Sequence, residues 1–165
     1  MINLNVHSSA DYAEMREHEL RQSRKVMVDG NLTANMETAE GGVSARVYSR
    51  GYWGFASTPS MGVKSRDKVL HKATDNAAAM SRFGKRPALD LGDSAYCGEQ
   101  QIRHSPPLSQ KDSIAFMSAV DAHCKQRFPG LKSTTVALRE ESHRKSYTTT
   151  NGGSGLNTID PVSYT

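Results

Sequence analysis

Residues 40–58 read EGGVSARVYSRGYWGFAST, and the rest of the chain is organised around them. Its side chains alternate: one set is Val43, Ala45 and Val47, and the other is Ser44, Arg46 and Tyr48. A period of two is typical of a strand with one buried face. Arg50-Gly51 supplies a two-residue turn, and a second strand begins at Tyr52 and ends before Pro59. The stretch therefore predicts a β-hairpin, around which the rest of the sheet is built.

Three glycines and one tryptophan add detail to this prediction. Gly41-Gly42 indicates a further turn just upstream. Gly54, between two large aromatic residues, indicates a bulge or the close approach of another backbone. Trp53 is the only tryptophan of the chain. A single tryptophan in a hairpin of a small domain is more often a core anchor than a platform for substrate, so we expect Trp53 in the core.

The segments GVSARVY at residues 42–48 and GYWGFAST at residues 51–58 resemble the signature of the TldD/PmbA metallopeptidases, once described as modulators of DNA gyrase. Further matches follow in the family's order, at YAEMR (12–16), VDG (28–30) and the alanine-rich stretch 73–79. The resemblance is specific over about residues 11–84 and looser over residues 109–165. It indicates the N-terminal region of a family member only.

The composition predicts a soluble chain. Its 165 residues are 36% hydrophobic, enough for one core and the start of a second. No apolar run approaches the roughly 18 residues of a membrane span, and the N-terminus lacks the pattern of a secretion signal. With only Cys97 and Cys124, the sequence predicts a cytoplasmic location and no disulfide framework.

The charge argues against one class of partner. The chain has 21 lysines and arginines and 17 acidic residues, which gives a net charge of +4. The basic residues are dispersed along the chain. Nucleic-acid binding needs lysine and arginine concentrated on one stripe. We therefore expect no nucleic-acid partner, and the older gyrase description gains no support. No membrane partner is expected either, because no apolar run is long enough to span a membrane.

For residues 12–37, the local helix propensity and the family resemblance predict different structures. The run AEMREHELRQSRK at residues 13–25 is rich in helix formers, but its apolar side chains form no stripe. Asp29-Gly30 is a strong hairpin signal, and the resemblance implies a long strand here, followed by its mate. We therefore predict two antiparallel strands, the second at Leu32–Glu37, because tertiary context overrides small propensity differences.

The next apolar pattern predicts a helix capped by Ser65 and ended by Gly84. Its inward residues would be Val69, Leu70, Ala73, Ala77, Met80 and Phe83. The small residues Ala77–Ala79 would permit close approach to the strands.

A second helix is predicted from Ser109, which forms a capping motif with Asp112, to Phe128-Pro129-Gly130. Its inward residues would be Phe116, Met117, Val120 and Cys124. After it, Thr134–Leu138 and Tyr147–Thr149 predict a hairpin that turns at Glu141–Arg144.

These elements predict an α+β fold: an antiparallel sheet of hairpins packed by one helix, then a helix and a hairpin that open a second α+β domain. By resemblance, residues 1–86 form a TldD/PmbA-like N-terminal domain and residues 109–165 the truncated start of a middle domain. Residues 87–108, with three of the six prolines and no sustained period, are predicted to be a linker.

We predict no catalytic, cofactor-binding or metal-binding residue in this chain. The resemblance implies a zinc site on a His-Glu-x-x-x-His helix, where two histidines on one face hold the ion and the glutamate activates water. Only His18-Glu19 begins this motif, and Ser23 stands at the position of the second histidine. Adjacent residues of a helix point about 100° apart, so His123-Cys124 predicts a surface histidine and a core cysteine.

The resemblance implies that the full-length protein is a zinc metallopeptidase that cleaves unfolded or small peptides. It would pair with a homologous TldD/PmbA-type subunit around an enclosed chamber, and this chain would be a non-catalytic part of the wall and assembly surface. Two alternatives stay open: part of a partner subunit whose zinc motif is lost, or a free-standing α+β binding module. The sequence that follows Thr165 in the reading frame distinguishes the three.

Overall fold

The computed structural model describes residues 10–84, 86–87, 89–91, 96–102 and 108–164. Within these residues lie six strands and two α helices: β1 (Tyr12–Val28), β2 (Asn31–Ser49), β3 (Tyr52–Thr58), α1 (Val63–Met80), β4 (Cys97–Ile102), α2 (Gln110–Arg127), β5 (Thr135–Thr149) and β6 (Ser154–Tyr164). The strands form one mixed sheet in the order β3-β2-β1-β5-β6-β4. The predicted α+β class is confirmed. Neither of the described helices is long and apolar enough to cross a membrane.

Two compact units make up the chain, each assembled from separate segments. The first takes in the described residues of Met1–Glu19, Glu40–Gln100 and Arg144–Thr158. The second takes in those of Leu20–Ala39, Gln101–His143 and Ile159–Thr165. The domain limits drawn from the sequence, at residues 86, 87, 108 and 109, stay a prediction.

The hairpins predicted at Asp29-Gly30 and Arg50-Gly51 are confirmed. Both residues of each turn have positive φ, 51° and 84° in the first and 54° and 84° in the second, as a two-residue turn between twisted strands requires. β1 is a strand although its residues favour a helix, because alternation along it buries Ala13 and Met15 in a core that α1 completes.

The prediction of a turn at Gly41-Gly42 is wrong. β2 runs without a break through both glycines, so the strand predicted at Leu32–Glu37 continues into the β2–β3 hairpin. The glycines instead allow neighbouring strands to pack closely. A Cβ on Gly41 would lie 2.9 Å from the carbonyl oxygen of His18, and one on Gly42 would lie 2.7 Å from that of Thr58.

The core of the first unit forms where α1 packs on its strands. Its buried residues are Ala13, Met15, Val43, Ala45, Val47, Val69, Ala73 and Ala77. Gly54 faces the helix: a Cβ there would lie 2.0 Å from the carbonyl oxygen of Ala73 and 2.4 Å from the amide nitrogen of Ala77. The close approach predicted from Gly54 is confirmed, and the buried alanines that permit it are Ala73 and Ala77.

The ends of α1 differ in part from the prediction. The helix begins at Val63, and the Ser65 hydroxyl donates to a backbone carbonyl instead of capping the first amide groups. The chain leaves helical geometry at Gly84, where φ is 129°. Met80 and Phe83, predicted to point inward, are 45% and 81% exposed because the buried face of the helix ends before them.

The core of the second unit forms around α2. Its buried residues are Met27, Met117, Val136 and Leu138, with Ile114 and Val120 partly buried against them. Ser109 caps the helix as predicted, because its hydroxyl oxygen accepts from the amide of Asp112 at 3.1 Å. Phe116 is 43% exposed and Cys124 only partly buried, so neither is a core residue. Adjacent side chains of a helix point about 100° apart. Because Met117 points into the core, Phe116 points toward solvent.

The hairpin predicted after α2 is displaced along the chain. β5 runs without a break through the turn expected at Glu141–Arg144. The chain reverses instead just after β5, where the amide of Thr149 donates to the carbonyl of Gly153 at 2.8 Å and Gly152 has a φ of 90°. β6 is therefore the hairpin partner of β5, and β5 lies between β6 and β1.

β4 lies within the segment predicted to be a linker. Hydrogen bonds to β6 join Tyr96, just before β4, to Ser154, and within β4 they join Gln100 to Asn157 and Gln101 to Asp160. Because both residue numbers rise together, β4 runs parallel to β6. The strand sequence CGEQQI lacks an apolar alternation, so no local pattern predicts it.

Candidate functional site

An aromatic cluster of Tyr12, Tyr48 and Trp53 lies on the first unit's strands. Trp53 is 37% exposed, so the prediction that it anchors the core is wrong. Successive side chains of a strand point to opposite faces, and because Gly54 faces α1, Trp53 points away from the helix. The Trp53 ring lies 5.9 Å from the Tyr12 ring, edge to face, and 5.1 Å from the Tyr48 ring. Each such pair contributes about 0.5–1.5 kcal/mol beyond its buried area.

A nearly buried carboxylate, Glu14, lies beside this cluster with 8% of its surface exposed. Its Oε1 forms an ion pair with Arg16, whose Nε lies 3.1 Å away. Its Oε2 accepts from Arg46 Nη2 at 2.9 Å and from the Tyr12 hydroxyl at 3.1 Å. Arg46 also lies over the Trp53 ring, 4.6 Å from its centre, in a cation–π contact. Two guanidinium groups thus share one carboxylate.

Tyr12 keeps its proton in this network. Burial raises the pKa of its hydroxyl above the ordinary value of 10.0, and the neighbouring Glu14 carboxylate raises it further. Both causes disfavour the phenolate because it would be desolvated and close to a like charge. At neutral pH the Tyr12 hydroxyl is therefore a hydrogen-bond donor and not a base.

These side chains line a depression of about 310 Å³, here called the Trp53 cleft. Its lining residues are Tyr12, Glu14, Arg16, Arg46, Trp53, Leu91, Tyr147, Thr149, Asn151 and Gly153. The amide of Leu89 donates to the Tyr48 hydroxyl at 2.8 Å, which ties the chain near Leu91 to the aromatic cluster. Guanidinium groups beside the partly exposed Trp53 ring suit a ligand that carries an anion next to an apolar group. The sequence predicted none of these as site residues.

The second unit contains a buried ion pair. Lys25 Nζ lies 3.4 Å from Glu140 Oε2, and the two side chains are only 6% and 10% exposed. Lys25 also donates to the Ser23 hydroxyl at 2.9 Å. Glu140 Oε1 is buried and has no hydrogen-bond partner among the described residues. The carboxylate therefore depends on Lys25 for the compensation of its charge.

Two further carboxylates of the second unit, Asp29 and Asp121, accept hydrogen bonds from residues just before β5. Asp29 accepts from the amide of Thr134 at 2.8 Å and from the Ser133 hydroxyl at 2.9 Å. These bonds hold the pKa of Asp29 below its ordinary value. The Lys125 ammonium, 2.8 Å away, and then the Thr134 hydroxyl likewise lower the pKa of Asp121.

We expect the free energy of unfolding to decrease as the pH is lowered from neutral into the acid range. In Asp29→Asn this decrease should be smaller. A carboxyl with a lowered folded-state pKa stabilises the fold fully above its unfolded pKa, near 3.9, and loses this stabilisation as the pH falls through the folded pKa. Asparagine keeps a carbonyl oxygen and tolerates the positive φ of position 29. Urea denaturation from about pH 7 to about pH 3 measures the slope. The same slope in the variant as in the native chain would contradict the expectation.

The described residues do not fit a zinc site. His18 and Glu19 are consecutive residues of β1, so their side chains point to opposite faces of the sheet and cannot act on one ion. Over the ranges that the structure describes, no group of three His, Cys, Asp or Glu side chains is placed to hold a metal. His7 and His104 lie outside the described residues.

Residues 13–81 match the family model described as PmbA/TldA metallopeptidase domain 1. Over these residues the chain is similar to the TldD/PmbA family. The match runs from β1 to the end of α1, so it includes Glu14, Arg46 and Trp53 of the Trp53 cleft. No curated protein matches the chain.

Three solved structures of low identity share the fold over nearly the whole chain. A proposed modulator of a DNA gyrase from Thermotoga maritima is 15% identical, with a TM-score of 0.61 over 92% of this chain. A proposed modulator of DNA gyrase from Bacteroides thetaiotaomicron is 16% identical, with a TM-score of 0.64 over 91%. TldE from Thermococcus kodakarensis is 10% identical, with a TM-score of 0.58 over 91%. The TldD/PmbA-like chain spans 37%, 35% and 34% of their lengths, respectively.

Proposed function

We propose that this chain is the N-terminal, non-catalytic portion of a TldD/PmbA-like zinc metallopeptidase that cleaves unfolded or small peptides. The observation that carries the proposal is the family match over residues 13–81. The shared fold supports it, since the chain spans only 34% to 37% of the similar structures. Zinc and its ligands would come from sequence outside these 165 residues, because His18-Glu19 is not completed to His-Glu-x-x-x-His.

Within such a peptidase, the chain would form part of the chamber wall and a surface for assembly with a homologous TldD/PmbA-type subunit, as a homodimer or heterodimer. Large exposed apolar side chains support an assembly surface: Phe55 is 58% exposed, Val63 67% and Phe83 81%. A cytoplasmic location, no nucleic-acid or membrane partner, and the division into residues 1–86, 87–108 and 109–165 belong to the same proposal.

The gene sequence beyond the codon for Thr165 tests this assignment. A His-Glu-x-x-x-His motif downstream would support the peptidase. A degenerate motif would instead support a non-catalytic partner subunit, and a stop codon a free-standing α+β binding module.

We expect the chain alone to bind zinc weakly and to cleave no peptide. A hydrolytic zinc requires about three protein ligands and an open position for water, and the described residues offer no such group. Chelator-treated protein supplied with zinc can be assayed for metal content and for cleavage of an unstructured peptide, with His18→Ala as the matched variant. Stoichiometric zinc with turnover that His18→Ala abolishes would overturn the proposal.

A further inference from the structure

We propose that the Trp53 cleft binds a peptide segment through an acidic side chain, with a neighbouring apolar side chain against Trp53. The choice of a peptide as the ligand rests on the proposed function. The recognition itself rests on the charge and the hydrogen-bond donors of the cleft and on its partly exposed Trp53 ring.

The charge of the cleft favours a single carboxylate. Among the residues that the structure describes, its charged lining residues are Glu14, Arg16 and Arg46, which together carry a net charge of +1. Oε2 of Glu14 already accepts hydrogen bonds from Arg46 and Tyr12, and Oε1 is ion-paired with Arg16. One further carboxylate would bring the site to neutrality. A phosphate group, with about two negative charges at neutral pH, would exceed it.

Two guanidinium groups supply donors for that carboxylate. A guanidinium has five N–H groups in a rigid fork, and the Glu14 contacts use Nε of Arg16 and Nη2 of Arg46. The Arg16 and Arg46 side chains are 65% and 47% exposed, so their outer N–H groups remain accessible. Glu14 is nearly buried and positions both arginines in advance, which lowers the entropic cost of binding a second carboxylate.

The aromatic cluster supplies the apolar contact. Trp53 is held by Tyr12, Tyr48 and Arg46, yet 37% of its surface is exposed. Tyr147 and Leu91 also line the cleft. A volume of about 310 Å³ lies at the lower end of ligand pockets. It suits one or two side chains of an extended peptide.

Trp53 also reports on binding, because it is the only tryptophan of the chain. Its fluorescence can be titrated with acetyl-Leu-Asp-Leu-amide, the isosteric acetyl-Leu-Asn-Leu-amide, acetyl-Leu-Asn-Leu with a free C-terminus, and inorganic phosphate. We expect a saturable change with the Asp peptide and at least about tenfold weaker binding of the Asn amide, because hydrogen bonds to charged groups are the stronger ones. The free C-terminal acid and phosphate should bind more weakly than the Asp peptide.

Arg16→Gln is the most direct test, because it removes one of the two guanidinium groups and leaves the contact between Arg46 and Trp53 intact. It should weaken binding of the Asp peptide about tenfold. Arg82→Gln, the same charge change at an exposed residue of the first unit outside the cleft, should leave binding unchanged. Circular dichroism of each variant verifies the fold.

Equal binding of the Asp and Asn amides would overturn the proposal. So would equal affinity for the free C-terminal acid or for phosphate, which would mean a terminal carboxylate or a general anion site. An unchanged affinity in Arg16→Gln would also overturn it. The titration needs neither zinc nor turnover, so a gene sequence that rejects the peptidase assignment leaves its result interpretable.

Discussion

Gly54→Ala is expected to lower the free energy of unfolding by about 3 kcal/mol, because overpacking a close backbone contact forces strands and helix apart. The added Cβ would lie 2.0 Å from the carbonyl oxygen of Ala73 and 2.4 Å from the amide nitrogen of Ala77. Both atoms belong to the backbone of α1, so no side-chain rotation relieves the clash. The helix has to move away from a core in which Ala73 and Ala77 are fully buried.

Urea denaturation of the variant and of Gly130→Ala measures this effect. A Cβ on Gly130 meets no atom within 4 Å, so this substitution should change the free energy of unfolding by about 1 kcal/mol or less. If Gly54→Ala were as stable as Gly130→Ala, α1 would not pack on β3 as closely as the structure has it.

The hairpin turns could be predicted because their geometry demands particular residues. Asp29-Gly30 and Arg50-Gly51 each place a glycine where φ is positive, and this local requirement is visible in the sequence. The strand character of β1 has no such local signal. It follows from the burial of Ala13 and Met15 in the core with α1, which overrides a run of helix-forming residues. Beforehand, the Asp29-Gly30 turn that follows β1 and the family resemblance indicated it.

The strands of the second half are harder to predict because their partners are distant. Charged residues crowd the middle of β5 and conceal its period of two, so Glu141–Arg144 looks like a turn. One of these charges, Glu140, is buried because Lys25, 115 positions earlier, pairs with it. β4 similarly depends on β6, more than 50 residues later, for its pairing.

The Trp53 cleft was missed although the sequence holds a signal for it. Alternation shows which residues share a face of a strand, but not which face a helix covers. Gly54 decides this question, because a glycine between two large residues of a strand leaves room for another backbone on its own side. The helix therefore lies on the Gly54 side, and Trp53 and Phe55 belong to the opposite face. Their exposures of 37% and 58% agree with this reasoning.

Lys25→Met is expected to lower the free energy of unfolding by about 3–5 kcal/mol, the usual cost of leaving one member of a buried ion pair without its partner. Lys25 is 6% exposed, and it supplies the opposite charge for Glu140. Arg139→Met is the matched control in the same unit. Arg139 is 54% exposed in its pair with Glu141, and an exposed pair contributes about 1 kcal/mol or less.

The double variant Lys25→Met, Glu140→Leu separates the cost of an unpaired charge from the value of the pair itself. The separation of 3.4 Å between Lys25 and Glu140 is long for a charged hydrogen bond, and Glu140 Oε1 has no partner among the described residues. The attraction therefore does little to offset the desolvation of two charges. We expect the double variant to regain most of the stability that Lys25→Met loses, measured by urea denaturation of both variants. A double variant no more stable than the single one would show that the pair itself stabilises the second unit.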